Sequence, residues 1–183
     1  TVSRLILSTD YPEYAAIGRE YGAETPFLRP AEFANDSEAD IDYLTHAVFW
    51  LEEHEGFRPD IVLRLPPTTP LCRSESIDAC VGLLVADEAA TSARTITVAP
   101  KHPYKLWKTE GETLVPFIPK EVTGFSEPSN MPRQALAPAF AHVDVIAVRR
   151  DTLMRERLLT GSRVRYQRIE KLEAIDIDTE IDF

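Results

Sequence analysis

The chain has 183 residues, enough for one domain with a sizeable core, and 44% hydrophobic and 27% charged residues are ordinary values for a soluble globular protein. No apolar run approaches the roughly 18 residues that a membrane span needs, so membrane insertion is excluded. The formal charge of −10 would repel a phosphate backbone, so nucleic-acid binding is not expected, although a local basic pocket could hold one small anion. Two cysteines and no secretory segment at the start indicate a reduced, cytoplasmic setting.

The chain opens with a strand-like run followed by a helix. Residues 3–8 (SRLILS) hold a short apolar run and predict a short strand. Asp10 and Pro12 can then open a helix that ends at Gly22.

A longer amphipathic helix comes next and leads into a second strand. Ser37 and Asp40 have the spacing of a capping box, and Gly56 can end the helix. The run DIVLRL (60–65) is nearly continuous in apolar residues, as in strands buried in a parallel sheet. Apolar residues at helical spacing mark the core-facing side of this helix: Ile41, Leu44, Val48 and Leu51.

The alternation continues to the end of the chain. The sequence predicts two further helices, around 77–85 and at 151–159. It also predicts strands at 95–99, 143–148 (buried), 164–169 and, as the last, AIDI at 174–177. Strands alternating with helices imply right-handed crossover units and a sheet covered on both faces, which is an α/β sandwich. Between Pro100 and Pro138 the rhythm breaks, because seven prolines fall there, and this segment is interpreted as an excursion from the sheet.

The C-terminal sequence AIDIDTEIDF (174–183) alternates acids and isoleucines. In a strand, Asp176 and Asp178 would project from one face about 6.6 to 6.8 Å apart, with Ile175 and Ile177 turned to the core. Such a pair suits Mg²⁺, which takes one or two carboxylates and completes its shell with water and phosphates. A solvated strand edge explains the same pattern. Thr179 and Asp182 have capping-box spacing and predict the first turn of a helix.

Three other stretches carry candidate binding residues. Arg29 precedes Pro30 and is therefore biased towards an extended conformation, from which its planar fork can hold a phosphate, a carboxylate or a base edge. The proline-stiffened loop 65–71 (LPPTTPL) follows a buried strand, where α/β sheets commonly bind ligands. Lys105 and Arg133 place cations in the proline-rich excursion of an acidic protein.

Taken in order, these stretches resemble the acylneuraminate cytidylyltransferase family, which activates sialic and related nonulosonic acids as CMP-sugars. The resemblance runs almost the whole length of the chain. It rests on LILSTD, YGAETPFLRPAEFANDSEADID, LPPTTPL followed by SID, APKHPYKLWK, MPRQAL, VDVIAVRRDTL and IDIDTEIDF. The resemblance implies a three-layer, Rossmann-like nucleotidyltransferase sheet and a homodimer formed through the excursion at 100–138.

The resemblance also implies a reaction and a set of site residues. CTP and a 2-keto sugar acid would combine with Mg²⁺ to give the CMP-sugar and pyrophosphate. Asp176 and Asp178 fall on the family's metal aspartates, and Arg29 falls on an arginine at the cytidine pocket. Asp40 falls on a neighbouring position that is usually serine, where a carboxylate can accept from the cytosine amino group. The remaining candidates are Thr68 and Thr69 for substrate binding, and Lys105 and Arg133 as catalytic cations at the sugar and phosphate side.

The sequence departs from the family pattern in several places. The family's first strand and the glycine-rich and basic triphosphate loop after it precede the point where this chain starts, so the chain is expected to fold poorly unless a partner chain or repacking covers that gap. Pro66 replaces a usual glutamine, and Cys72 stands where arginine is common, beside Arg73. Three interpretations remain: a CMP-nonulosonate synthetase, a non-catalytic homologue acting as a binding or scaffolding dimer, and a cytidylyltransferase for another sugar acid such as a 3-deoxy-octulosonate.

Overall fold

A computed structural model describes residues 2–35 and 39–183, apart from the side chain of Asp144. The helices are α1 (Pro12–Glu20), α2 (Asp40–Glu55), α3 (Ser74–Ala86), α4 (Lys120–Thr123) and α5 (Arg150–Met154). The strands are β1 (Ile61–Arg64), β2 (Ser92–Val98), β3 (Trp107–Glu110), β4 (Thr113–Pro116), β5 (Phe140–Arg149) and β6 (Val164–Arg168). None of the helices in this described part is long and apolar enough to cross a membrane.

The main sheet has the strand order β1-β5-β2-β6. Strand β5 runs antiparallel to both β1 and β2, whereas β6 is parallel to β2. Because β1 and β2 both oppose β5, they point the same way and their carboxyl ends lie at one edge of the sheet. The expectation of crossover connections throughout is wrong for β5. Within the main sheet β2 is the strand that comes before β5 in sequence, the segment 100–138 connects the two, and antiparallel neighbours need no helical crossover.

Strand β5 forms the centre of the core because both of its faces are covered. Val145 and Ala147 pack with Cys80 and Leu84 of α3, and all four side chains are at most 1% exposed. Alternate residues of a strand point to opposite faces, so Val148 lies on the other side, against α2 and α5. The predicted three-layer α/β architecture is therefore confirmed, with α3 on one face of the sheet and α2 and α5 on the other.

The same alternation places the residues of β1. Ile61 and Leu63 pack into the α3 layer, whereas Val62 packs into the α2 layer. Arg64, two residues after Val62, is consequently on the α2 face at the carboxyl end of the strand. The alternation of side chains along β1 therefore places Arg64 beneath the first turn of α2.

The N-terminal segment differs from its prediction. Residues 3–8 form no strand, and Ile6 makes only an isolated parallel bridge with Glu24. Helix α1 begins at Pro12 as predicted, since a proline at the first helical position loses no hydrogen bond.

Helix α2 at its beginning and helix α5 at its end also differ from the predictions. Gly56, in the left-handed conformation at φ 64°, ends α2 as predicted, while Asp40 is its first residue and Ala39 its N-cap. Ser37, and with it the predicted capping box, lies outside the described residues. Helix α5 ends at Met154 rather than near 159, and Arg157 beyond it adopts a left-handed φ of 56°, which a helix cannot continue through.

The segment between residues 100 and 138 connects β2 to β5 and lies at the carboxyl edge of β2. It contains the separate two-stranded sheet β3-β4 and the short helix α4. Ala99 N donates to Ala139 O (3.0 Å), so the two ends of the segment meet. Large apolar side chains of this segment are exposed: Leu106, Trp107, Leu114, Phe117 and Val122.

An ion pair between Glu52 of α2 and Arg150 of α5 predicts a pH dependence of stability. Arg150 donates to both carboxylate oxygens, at 2.7 Å for Nη2 to Oε2, and these bonds lower the pKa of Glu52 below its usual value of about 4.5. A lowered folded-state pKa stabilises the protein above the unfolded value, and this contribution is lost as the pH falls through the folded value.

We therefore expect Glu52→Gln to lower the urea midpoint at pH 7 and to have little effect at a pH well below 4.5. Glu53→Gln, at an exposed neighbouring position, is the control and should change neither midpoint. An equal loss for Glu52→Gln at both pH values would contradict the assignment.

Candidate functional site

The candidate site lies at the carboxyl edge of β1 and β2. An ion pair joins Arg64, the last residue of β1, to Asp40, the first residue of α2. Arg64 Nε lies 2.8 Å from Asp40 Oδ2, and Arg64 Nη2 donates to Asp40 Oδ1 (3.2 Å). The Arg64 side chain is 18% exposed and that of Asp40 is 35% exposed, so the arginine lies beneath the carboxylate and the carboxylate faces outward.

Tyr43 completes this pair from one helical turn along α2. Its hydroxyl donates to Asp40 Oδ1 (3.0 Å) and accepts from Arg64 Nε (2.9 Å). Burial raises the pKa of Tyr43, while the bond from Arg64 opposes that rise, and the phenol remains a neutral donor at physiological pH. The orientation of the carboxylate is thus fixed by donors from two elements.

Arg29 reaches the same tyrosine from the preceding loop. Its guanidinium carbon lies 4.5 Å from the centre of the Tyr43 ring, in cation–π geometry. Arg29 Nε donates to Ser8 Oγ (3.1 Å), Nη2 donates to Ser8 O, and the backbone N donates to Thr9 O (2.8 Å). The extended arginine predicted from Pro30 is therefore fixed between the N-terminal segment and α2.

Aromatic packing holds the Arg29 loop against α2. Phe27 and Phe33 flank Arg29 in the sequence, and their rings lie 5.0 and 5.3 Å from the ring of His46. Burial, together with the charge of Arg29, lowers the pKa of His46, so this histidine is neutral at pH 7. It is therefore a packing residue between the Arg29 loop and α2.

The loop 65–71 follows β1 directly and adjoins the C-terminal tail. Thr69 is buried, and its hydroxyl donates to Pro66 O (3.3 Å), which closes the turn. Thr68 is half-buried, and its carbonyl accepts from Ile177 N (2.8 Å). One backbone hydrogen bond therefore places Ile177, with an aspartate on each side, next to this loop.

The tail itself is not the strand that the alternation predicted. Residues 175–178 have no regular secondary structure, and Ile175 is 38% exposed rather than turned to the core. The single bond to Thr68 replaces strand pairing. Thr179 and Asp182 form a turn, in which Asp182 Oδ2 accepts from Thr179 N and Oγ1 (both 2.8 Å), but no helix follows among the described residues.

The two candidate metal aspartates have different surroundings. Asp176 is half-buried, and its Oδ1 is shielded from solvent with no hydrogen-bond partner among the described residues. Asp178 is exposed. A buried carboxylate oxygen without a donor is costly, and a cation would satisfy it. Within residues 2–35 and 39–183 no group of three or more His, Cys, Asp and Glu side chains is placed to hold a metal ion.

The two candidate cations lie in the segment after β2. Arg133 Nη2 donates to Ala99 O, which follows the last residue of β2 at the site edge. Lys105 Nζ donates to Ser129 O (3.0 Å) and Met131 O (2.7 Å), so its contacts lie within the 100–138 segment. Both cations are anchored by backbone carbonyls rather than by carboxylates.

Tyr43 and Arg64 are the residues that the sequence analysis missed. Two signals could have found them. Tyr43 lies three residues after Asp40 and so on the same helical face, and Arg64 shares the strand face of Val62. An arginine ending an apolar strand, opposite a helix that begins with an aspartate, is a recognisable pattern.

A solved structure shares this fold. The chain is similar to a CMP:2-keto-3-deoxy-manno-octonic acid synthetase complexed with CTP, with a TM-score of 0.59, 18% identity, and coverage of 92% of this chain and 73% of the other. The layered mixed sheet of this chain is thus the fold of that solved structure.

Sequence relatives narrow the class. The chain is 24% identical over 182 residues to post-translational flagellin modification protein B of Campylobacter coli. This match covers 98% of this chain and 73% of that protein. The chain is 26% identical over 182 residues, with the same coverage, to CMP-N,N'-diacetyllegionaminic acid synthase of Campylobacter jejuni. It is 34% identical over 80 residues, 44% of this chain and 18% of the other, to N-acylneuraminate cytidylyltransferase of Escherichia coli. No family model matches.

These relatives confirm the resemblance found in the sequence: the chain is a relative, at low identity, of the CMP-nonulosonate cytidylyltransferase family. The expected enzyme lineage is confirmed with it, because the named relatives include two cytidylyl-transferring enzymes.

Removing the Tyr43 hydroxyl tests the geometry of the site. Tyr43→Phe should lower the free energy of unfolding by about 1.5–3 kcal/mol, because a hydrogen bond to a charged group is lost on each side of the oxygen. Urea denaturation at pH 7 measures this loss. Tyr14→Phe, on a ring that is 60% exposed, is the control and should stay within about 0.5 kcal/mol of the unsubstituted protein. Equal effects of the two substitutions would show that the Tyr43 bridge contributes nothing.

Proposed function

We propose that this protein is a cytidylyltransferase that joins CTP to a nonulosonic acid, releasing pyrophosphate. One observation carries the proposal. Arg29 and Asp40, the two residues expected at the cytidine pocket, both contact Tyr43, at the sheet edge that also holds the loop 65–71. The activities named for the relatives supply the reaction class, and the nonulosonic acid follows the legionaminic and neuraminic acids in those names.

Each end of the nucleotide has residues suited to it. The Asp40 carboxylate can accept from the amino group of cytosine, and the Arg29 guanidinium lies over the ring of Tyr43, whose hydroxyl donates to Asp40. Thr68 and Thr69 form the part of the loop that would line the substrate. Lys105 uses two of its three ammonium donors on carbonyls of the described chain, which leaves the third for an anionic group.

In the proposed reaction the anomeric hydroxyl attacks the α-phosphorus in line. A bond forms between the anomeric oxygen and the α-phosphorus, the bond from the α-phosphorus to the bridging oxygen breaks so that pyrophosphate leaves, and the hydroxyl proton passes to water. Lys105 and Arg133 would hold the negative charge of the sugar carboxylate and the phosphates, and thereby orient the two reactants. Such positioning is the main contribution that a protein makes to phosphoryl transfer.

The metal in this proposal is Mg²⁺, held by Asp176 and Asp178. The unpartnered Oδ1 of Asp176 supports it, and so does the proximity of the tail to Thr68. When bound, Mg²⁺ would neutralise charge on the phosphate oxygens. The cytoplasmic setting expected from the sequence remains a prediction.

The dimer is part of the same proposal. The segment 100–138, within an otherwise single domain of residues 1–183, would form the contact between two copies. Its exposed apolar side chains support this, because such a set close together on a surface is typical of an interaction site.

Pyrophosphate release tests the reaction and the metal together. The full encoded protein, with any residues upstream of Thr1, is incubated with CTP, Mg²⁺ and a panel of nonulosonic and other 2-keto sugar acids. We expect release with at least one nonulosonic acid, and we expect Asp178→Ala to lower kcat on the order of 100-fold or more, since a metal ligand is lost. Glu180→Ala, two residues further along, is the control and should keep the rate. Equal rates for Asp178→Ala and the unsubstituted protein would refute the metal assignment, and no release with any acid would refute the function.

Light scattering coupled to size exclusion tests the dimer. The unsubstituted protein should have the mass of two chains. Phe117→Glu, which puts a charge on an exposed ring of the 100–138 segment, should shift it to one chain. Val85→Glu makes the same change at a 70% exposed position on α3 and should leave the mass unchanged. A dimeric Phe117→Glu protein, or a monomeric unsubstituted protein, would contradict the proposal.

A further inference from the structure

We infer that Arg64 and Tyr43 determine the choice of base, by holding Asp40 as an outward-facing acceptor that takes an amino group and rejects a carbonyl oxygen. Neither residue belongs to the pattern on which the family resemblance rests. The inference depends on the proposed function, because it concerns the nucleotide of that reaction.

The geometry gives the ion pair an inner and an outer side. Arg64 comes from the sheet and is 18% exposed, whereas Asp40 is 35% exposed. The donors from Arg64 and Tyr43 approach both carboxylate oxygens at 2.8 to 3.2 Å. These donors fix the plane of the Asp40 carboxylate. Its outer side therefore faces a bound base in one orientation.

The outer side of the Asp40 carboxylate can only accept hydrogen bonds. A carboxylate held by a guanidinium offers only acceptors, whereas an asparagine or a serine at the same place could also donate. Cytosine carries an amino donor at the position where uracil carries a carbonyl acceptor. Two acceptors facing each other leave both without a hydrogen, so a uridine nucleotide would lose a bond that a cytidine nucleotide makes.

Stability alone does not account for an arginine at this position. Val62 shows that an apolar side chain suits this face of β1, and a partly buried ion pair is often no more stabilising than apolar residues of similar size. The pair also shares Tyr43 with Arg29, so it belongs to the group of side chains that meets at the proposed cytidine pocket. Its position is explained by orientation of the acceptor.

The test compares the dissociation constants of CTP and UTP for the full encoded protein and its variants, by titration calorimetry. The unsubstituted protein should prefer CTP. Arg64→Met should weaken the preference for CTP: the dissociation constant of UTP divided by that of CTP should fall on the order of 10- to 100-fold. Tyr43→Phe should lower this ratio less, because Arg64 still holds the carboxylate. Arg150→Lys is the matched control. It alters another arginine that is paired with α2, through Glu52 and far from Asp40, and should keep the ratio.

Each outcome decides between the proposals. If the unsubstituted protein binds neither nucleotide, the proposed function fails. If it binds CTP and UTP equally, the function stands and this inference is overturned. If Arg64→Met weakens both nucleotides in proportion, Arg64 has a purely structural role and the inference is again overturned. Should Arg64→Met fail to fold, Arg64→Lys and Tyr43→Phe decide: an unchanged ratio in both refutes the inference, and a lowered ratio supports it.

Discussion

The ion pair between Arg64 and Asp40 is the interaction on which the arrangement of the site depends. It joins the last residue of β1 to the first residue of α2, and Tyr43 bridges its two members. Arg29, from a separate loop, stacks on that tyrosine. Four side chains from three segments thus share one centre, and each restricts the others. Without Arg64, the Asp40 carboxylate at the beginning of α2 would lose the basic side chain of β1 that holds it in place.

The direction of the strands explains why the other candidates lie at the same edge. β1 and β2 both oppose β5, so the loop after β1 and the segment after β2 leave the sheet on one side. Thr68 lies in the first of these connections, and Arg133, held on Ala99 O, lies in the second. The tail joins them through Ile177 N and Thr68 O. A single topological feature therefore collects residues that are far apart in sequence.

Much of the fold could be predicted from the sequence because its signals are local. Gly56 ends α2, Pro12 opens α1, and the apolar run of β5 is buried on both faces. The direction of β5 could not be predicted, since the apolar run of a buried strand looks the same in either direction. The tail was misjudged for a related reason. Its alternation fits a strand, but one hydrogen bond to Thr68 fixes it instead, and that partner is more than a hundred residues away.

The candidate site was predictable to a smaller degree. The resemblance to a family supplied Arg29 and Asp40, and the structure brings both to Tyr43. Arg64 was missed because a charged residue at the end of an apolar strand ordinarily points to solvent, and only the packing of Val62 against α2 shows otherwise. The roles of Lys105 and the two tail aspartates remain predictions, since Lys105 donates to backbone carbonyls and Asp176 Oδ1 has no hydrogen-bond partner among the described residues.

The most direct test of the central claim is a crystal structure of the full encoded protein with CTP. We expect the amino group of cytosine to lie within hydrogen-bond distance of the Asp40 carboxylate, with the base beside Arg29 and the α-phosphate towards the loop 65–71 and the tail. A base bound elsewhere, or one that turns its carbonyl oxygen to Asp40, would contradict it.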